Sequence, residues 1–147
     1  MQFVEAHGAR IPIVGFGSMR LKEDAGASAI EAAIRQGYRH VDTAAFYGNE
    51  REVGQATKAS GVKREDIFLT TKVRDNNLKA DDFARSLDNS LKLLDLPAVD
   101  LLLIHWPNPQ VPAAEASARS TRPSATASPG ISACATTRSR CCRRRRR

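Results

Sequence analysis

An acid, a phenol, an amine and an imidazole stand at Asp42, Tyr47, Lys72 and His105 of this 147-residue chain. Asp42, Lys72 and His105 each stand at the end of an expected strand, and Tyr47 sits five residues past Asp42 in the loop before the next expected helix. Such a set suits delivery of a proton to an oxygen. A phenol with its ordinary pKa near ~10 is a poor acid at neutral pH, and an adjacent ammonium favours the phenolate and so eases release of the proton. Lys72 is the candidate for that part, and Asp42 is the carboxylate that would keep the amine charged and oriented. His105 is the candidate donor of a hydrogen bond to a carbonyl oxygen. Taken singly, each residue reads more simply as a cap or a satisfied polar group; only the joint pattern points to chemistry. That chemistry, protonation of a developing alkoxide, needs a source of hydride. Gly15 and Gly17 open no G-x-G-x-x-G, so a Rossmann-type dinucleotide loop is excluded.

The elements that must position these residues alternate between apolar runs and helical patterns, the mark of strand–helix units on a parallel sheet. The first strand is expected over 11–17, with a helix over 25–36 that buries Ile30, Ala33 and Ile34 and stops at Gly37. A second strand over 39–42 leads to a helix whose start reads as a capping box, Asn49 with Glu52 three residues on, and which ends before Gly61. The third strand spans 67–72, and its helix repeats Phe83, Leu87, Leu91 and Leu94 at helical spacing. The fourth, 99–105, is apolar on both faces, as a strand covered by helices is, and ends at Pro107, Pro109 and Pro112. In sheets of this kind the reacting groups gather where strands end.

Charge divides the chain into two unlike parts. Residues 1–112 hold 14 Lys and Arg against 15 Asp and Glu, whereas residues 113–147 hold 9 against 1, which places the net +7 in the tail. All eight aromatic residues precede position 107, and Cys134, Cys141 and Cys142 are the only cysteines. A nucleic-acid domain is therefore disfavoured for 1–112, because a basic footprint belongs on the folded part. No cysteine is available to staple the core, and the spacing of the three matches no zinc pattern, so metal is not expected. With no signal-like or membrane-length apolar stretch, the reading is a cytoplasmic protein without a membrane partner.

The strings GFGSMRL (15–21), GYRHVDTAAFYGNEREVGQA (37–56), IFLTTKV (67–73) and VDLLLIHWPNP (99–109) resemble the aldo-keto reductase family, in the family's order, over residues 1–112. Within it the chain is most similar to the bacterial 2,5-diketo-D-gluconate reductase branch. The resemblance implies a (β/α)8 TIM barrel that binds NADPH and reduces small-molecule aldehydes and ketones to alcohols. It also implies that Asp42, Tyr47, Lys72 and His105 are the catalytic residues, with Tyr47 the general acid. Gly17, Ser18, Met19 and Asp42 would lie beside the cofactor, and Tyr47, His105 and Trp106 would meet the substrate. Ser18 and Met19 stand where the family commonly has Thr and Trp or Phe.

A barrel of this kind needs ~250 residues, and four strand–helix units are expected here, the N-terminal half. The full-length family implies a monomer, whereas a half barrel exposes two sheet edges and apolar inner faces and so tends to associate. The nicotinamide-stacking tyrosine and the basic site for the 2′-phosphate belong, by the same likeness, to later strands. The tail at 113–147 reads as low-complexity sequence rich in Arg. A role for Arg143–Arg147 in binding nucleic acid or an acidic partner would make the chain a non-catalytic half-barrel binding protein, the alternative to a truncated enzyme. A third reading is a shifted frame. Moving the frame back one base turns Ser117, Ser120, Ser124 and Ser128 into apolar residues at helical spacing, and Ser132 and Cys134 into an alternating pair. The leading expectation is a frameshift just after Glu115.

Overall fold

The structure, a computed structural model, describes residues 1–6 and 8–111. It opens with an antiparallel hairpin of β1 (Phe3–Ala6) and β2 (Ala9–Pro12). A parallel sheet follows, in the order β3 (Phe16–Gly17), β4 (His40–Asp42), β5 (Phe68–Val73) and β6 (Leu101–Ile104). Three helices make the crossovers: α1 (Glu23–Arg35), α2 (Glu50–Ala59) and α3 (Ala80–Leu94). The helix of the fourth expected unit, the Arg-rich tail with its shifted frame, and Cys134, Cys141 and Cys142 lie outside the described residues.

Two adjoining clusters hold the helices to one face of the sheet. Ile30 and Ile34 of α1 meet Val41, Val53, Ala56, Leu69, Leu94 and Val99 in the first. Phe83 and Leu87 of α3 meet Val73, Leu102 and Ile104 in the second. Each of the Val, Ile, Leu and Phe side chains among them contributes about 1.5–3 kcal/mol on burial, and the two clusters account for the phase of every helix. Gly54 permits the closest approach: a Cβ there would meet the Leu94 carbonyl oxygen at 2.1 Å. Thus α2 lies against the end of α3 with no room for a side chain between them.

The first strand departs from expectation. Residues 11–17 divide between the hairpin and a two-residue β3, and Ile13 and Val14 between them are 53% and 59% exposed. Apolar composition alone does not separate one buried strand from two short ones joined by an exposed bend. The capping box also resolves differently. Asn49 sits at the N-terminal flank of α2 but makes no side-chain cap bond. Glu52 Oε1 instead accepts the backbone N–H of Glu23 at 3.0 Å, satisfying a free donor at the start of α1.

Alternation along the strands decides what faces the other side of the sheet. Leu69, Thr71 and Val73 of β5 and Leu102 and Ile104 of β6 are buried on the helical side. The intervening positions, including Asp42, Lys72 and Leu103, point to the opposite face, where Lys72 is paired in register with Leu103 and Gly17 with Asp42.

Candidate active site

Parallel strands present their C-terminal ends together, and every residue singled out for chemistry lies at those ends. Gly17 closes β3, Asp42 closes β4, Lys72 is the penultimate residue of β5, and His105 follows β6 directly. Tyr47 comes from a single 3-10 turn, Ala45–Tyr47, that leaves β4. Gly48 then takes φ +64°, a conformation costly for residues with a Cβ, and turns the chain into α2.

Lys72 is the hub. Its ammonium has three protons, and three oxygens surround it: Asp42 Oδ1 at 2.5 Å, the Thr43 carbonyl at 2.8 Å and Tyr47 Oη at 3.4 Å. The lysine side chain is 13% exposed and the aspartate 33%, so the pair is partly sheltered from solvent. Because Tyr47 Oη accepts from the ammonium, its own O–H is free to donate elsewhere.

His105 stands on the other side of the phenol, its ring edge-on to Tyr47 at 5.5 Å between centroids and stacked on Trp106 at 3.5 Å. Burial holds its pKa below the ordinary imidazole value, and the Lys72 charge adds to that. The ring is therefore neutral at pH 7, a hydrogen-bond donor without a charge. Its Nδ1 and the Nε of Arg74 are, among the described residues, the buried side-chain nitrogens without a partner.

Gly17 and Ser18 adjoin Asp42. Ser18 is fully buried and donates from both its N–H (2.9 Å) and its hydroxyl (3.1 Å) to the Asp42 carbonyl. Met19 next to it is 54% exposed. A Cβ at Gly17 would meet nothing within 4 Å, so the backbone there lies open. The structure thus gathers Asp42, Tyr47, Lys72, His105 and Trp106 into one contiguous group, flanked by Gly17 and Ser18, with Met19 reaching into solvent.

Residues not singled out from the sequence also belong here. Thr43 supplies the carbonyl that holds Lys72. Phe46 is edge-on to both His105 (5.9 Å) and Trp106 (5.2 Å), and Arg74 lies over its ring at 5.0 Å. Arg74 was within reach of sequence reasoning, since two residues past Lys72 an extended chain returns to the same face. A cavity of about 480 Å³ lies elsewhere, between the hairpin and the N-terminal ends of the strands, lined by Phe3, Arg10, Arg39, Phe68 and Asp100. The reacting groups occupy an open ledge instead. Among the described residues no cluster of His, Cys, Asp and Glu is placed to hold a metal ion, and no helix is long and apolar enough to cross a membrane.

Residues 13–132 match the Aldo/keto reductase family. The chain belongs to that family. It is 51% identical over 100 residues to glycerol 2-dehydrogenase (NADP(+)) of Saccharomyces cerevisiae, covering 68% of this chain and 31% of the relative. It is 48% identical over 99 residues to methylglyoxal reductase DkgB of Salmonella typhi, covering 67% of this chain and 37% of the relative. A solved structure named for 2,5-diketo-D-gluconic acid reductase B aligns with a TM-score of 0.72 and 45% identity, over 82% of this chain and 43% of that one. The aldo-keto reductase chain described here therefore spans about a third of the length of these curated relatives, and its α/β fold is part of the reductase barrel.

Proposed function

We propose that this chain carries the proton-delivery half of an NADPH-dependent carbonyl reductase, which turns aldehydes and ketones into alcohols in the cytoplasm. The observation that carries the reading is the placement of one ammonium, Lys72, against Asp42, the Thr43 carbonyl and Tyr47 Oη, with a neutral His105 across the phenol.

The donor set fits a reduced nicotinamide as partner. Gly17 leaves the backbone open beside Asp42, and the orphaned Nδ1 of His105 marks a site short of polar partners. Gly17, Ser18, Met19 and Asp42 would hold the nicotinamide end of NADPH, which when bound supplies a hydride to the carbonyl carbon. Tyr47 gives its phenolic proton to the carbonyl oxygen as negative charge develops there. Lys72, by its positive charge, stabilises the phenolate left behind, and Asp42 with the Thr43 carbonyl keeps Lys72 aimed. His105, uncharged, donates to the same oxygen and fixes its direction, while Trp106 and Tyr47 bound the space for the substrate. The NADP(+) in the name of the yeast relative supports the choice of cofactor.

Residues 116–147 complete the reading as an out-of-frame continuation of reductase sequence, supported by the helical spacing of Ser117, Ser120, Ser124 and Ser128. Coding DNA whose alternate frame after Glu115 soon meets stop codons would remove that part of the proposal. The assay for the site itself is NADPH oxidation with a small aldehyde, by the chain as it stands and with its frame restored. Tyr47→Phe is expected to lower the rate by ~10²-fold or more without loss of nucleotide binding. A Tyr47→Phe enzyme with the parent's rate would end the assignment of Tyr47 as the acid.

A further inference from the structure

Asn49 occupies the flank of α2 where an asparagine ordinarily caps the helix, yet its side chain is committed elsewhere. It is fully buried. Its Nδ2 donates to the Ser18 carbonyl at 2.6 Å and the Leu21 carbonyl at 2.7 Å, and its Oδ1 accepts from Thr43 Oγ1 at 3.0 Å. Two carbonyls on one side and a hydroxyl on the other fix which end of the amide is which.

Both partners lead into the site. Ser18 donates twice to the Asp42 carbonyl, and its loop carries Gly17 and Met19. Thr43 accepts from Lys72 Nζ through its own carbonyl, while its N–H is fixed to the Thr70 carbonyl at 2.8 Å. The carboxamide therefore ties the loop over 17–21 to the turn that holds Lys72. A buried amide with its partners all met rigidifies what it joins, and its removal leaves two carbonyls and a hydroxyl unpaired.

We propose that Asn49 is a positioning residue of the reductase site, whose carboxamide sets the spacing between the loop facing the nicotinamide and the turn that holds Lys72. The proposal rests on the reading of the site given above. Displacements of ~1 Å in such constellations cost about 10²-fold in rate, so the tie acts on the chemistry without touching substrate.

The test uses the full chain with Asn49→Ala, Asn49→Asp and Thr43→Val, and reads two quantities. One is NADPH affinity from nicotinamide fluorescence. The other is the His105 titration midpoint by NMR, which reports on Lys72 together with the other charges around that ring, Asp42, Asp75 and Arg74. Asn49→Ala is expected to weaken NADPH binding at least ten-fold and to move the His105 midpoint upward as the Lys72 charge recedes. Asn49→Asp should do as much, because it sets an acceptor oxygen against two carbonyls. A folded Asn49→Ala chain that keeps either parental value overturns the proposal. If the Asn49 variants do not fold, Thr43→Val, which removes only the bond to Oδ1, decides: a displaced His105 midpoint supports the tie, and the parental midpoint refutes it. Where the 147-residue parent does not bind NADPH, affinity is read on the frame-restored chain; a frame-restored parent that also fails to bind overturns the reductase reading, and the His105 midpoint alone then decides whether Asn49 positions Lys72.

Discussion

Separating Lys72 from Asp42 should cost more than breaking an ordinary surface ion pair, and a double-mutant cycle can isolate the difference. The two charged groups stand 2.5 Å apart, with the lysine side chain 13% and the aspartate 33% exposed. A hydrogen bond between charged groups contributes about 1.5–3 kcal/mol net, whereas exposed pairs give ~0.2–1 kcal/mol. With Asp42 a third open to water, the lower part of the first range applies, about 1.5–2 kcal/mol of coupling. Lys72→Met also strips the Thr43 carbonyl and Tyr47 Oη of their donor. Its total cost should therefore reach about 2–4 kcal/mol, short of the upper end for a fully buried pair. Urea unfolding of the parent, Lys72→Met, Asp42→Asn and the double variant would be followed through Trp106, the only tryptophan in the chain. A coupling energy below ~0.5 kcal/mol would place the pair among surface contacts and refute the claim that the fold holds the ammonium in place for Tyr47.

Other perturbations test the packing and the titrating groups. Gly54→Ala should destabilise by ~2 kcal/mol or more, since the clash with the Leu94 carbonyl oxygen outweighs the helix gain of ~1 kcal/mol; Gly17→Ala, with open space around it, should change unfolding by under ~0.5 kcal/mol. His105 has a folded pKa below its unfolded value, so its contribution is full above the ordinary imidazole pKa and is lost as pH falls through the folded one. Urea midpoints should drop on acidification from pH ~7 to pH ~5, and His105→Phe should reduce that drop; an equal drop in both would contradict the assignment. Glu50 is the opposite case. Burial raises its pKa even though Thr71 Oγ1 donates to it at 2.6 Å and Ser90 also bonds to it. The folded state therefore binds the extra proton, and stability falls as pH rises through the raised value. Glu50→Gln should be more stable than the parent at neutral pH, with the advantage shrinking in mild acid, and a less stable variant at neutral pH would show that the ionised carboxylate is wanted there.

Much of the site was legible because strand alternation and strand ends are local properties of sequence. Asp42, Lys72 and His105 each stand at the end of a strand expected from the sequence, and parallel pairing then brings those ends together. The α3 face was equally plain, since Phe83, Leu87 and Leu94 recur at the helical period and are all buried. Asn49 was misread for a physical reason. An asparagine ahead of a helix with a glutamate three residues on looks the same whether the amide bonds its own helix or carbonyls 28 and 31 residues earlier. The long-range choice is decided by burial, which no local spacing reports. Asp95 makes a similar point at the other end of α3: it takes φ +51° at a position where glycine is the usual signal, and pairs with Lys58 of α2. The hairpin was hidden because the end of its second strand, Ile11 and Pro12, runs into the exposed bend at Ile13 and Val14 as one continuous apolar stretch.

The central claim is that this fold brings a proton and a hydride to the two ends of one carbonyl bond. Its most direct test is isotopic, with NADPH carrying deuterium at the transferring carbon, a small aldehyde as substrate, and mass spectrometry of the alcohol formed by the 147-residue chain and by its frame-restored form. The account expects an alcohol one deuterium heavier, formed in a reaction that Tyr47→Phe suppresses. An alcohol without deuterium, or a labelled one made equally well by the Tyr47→Phe variant, would contradict it.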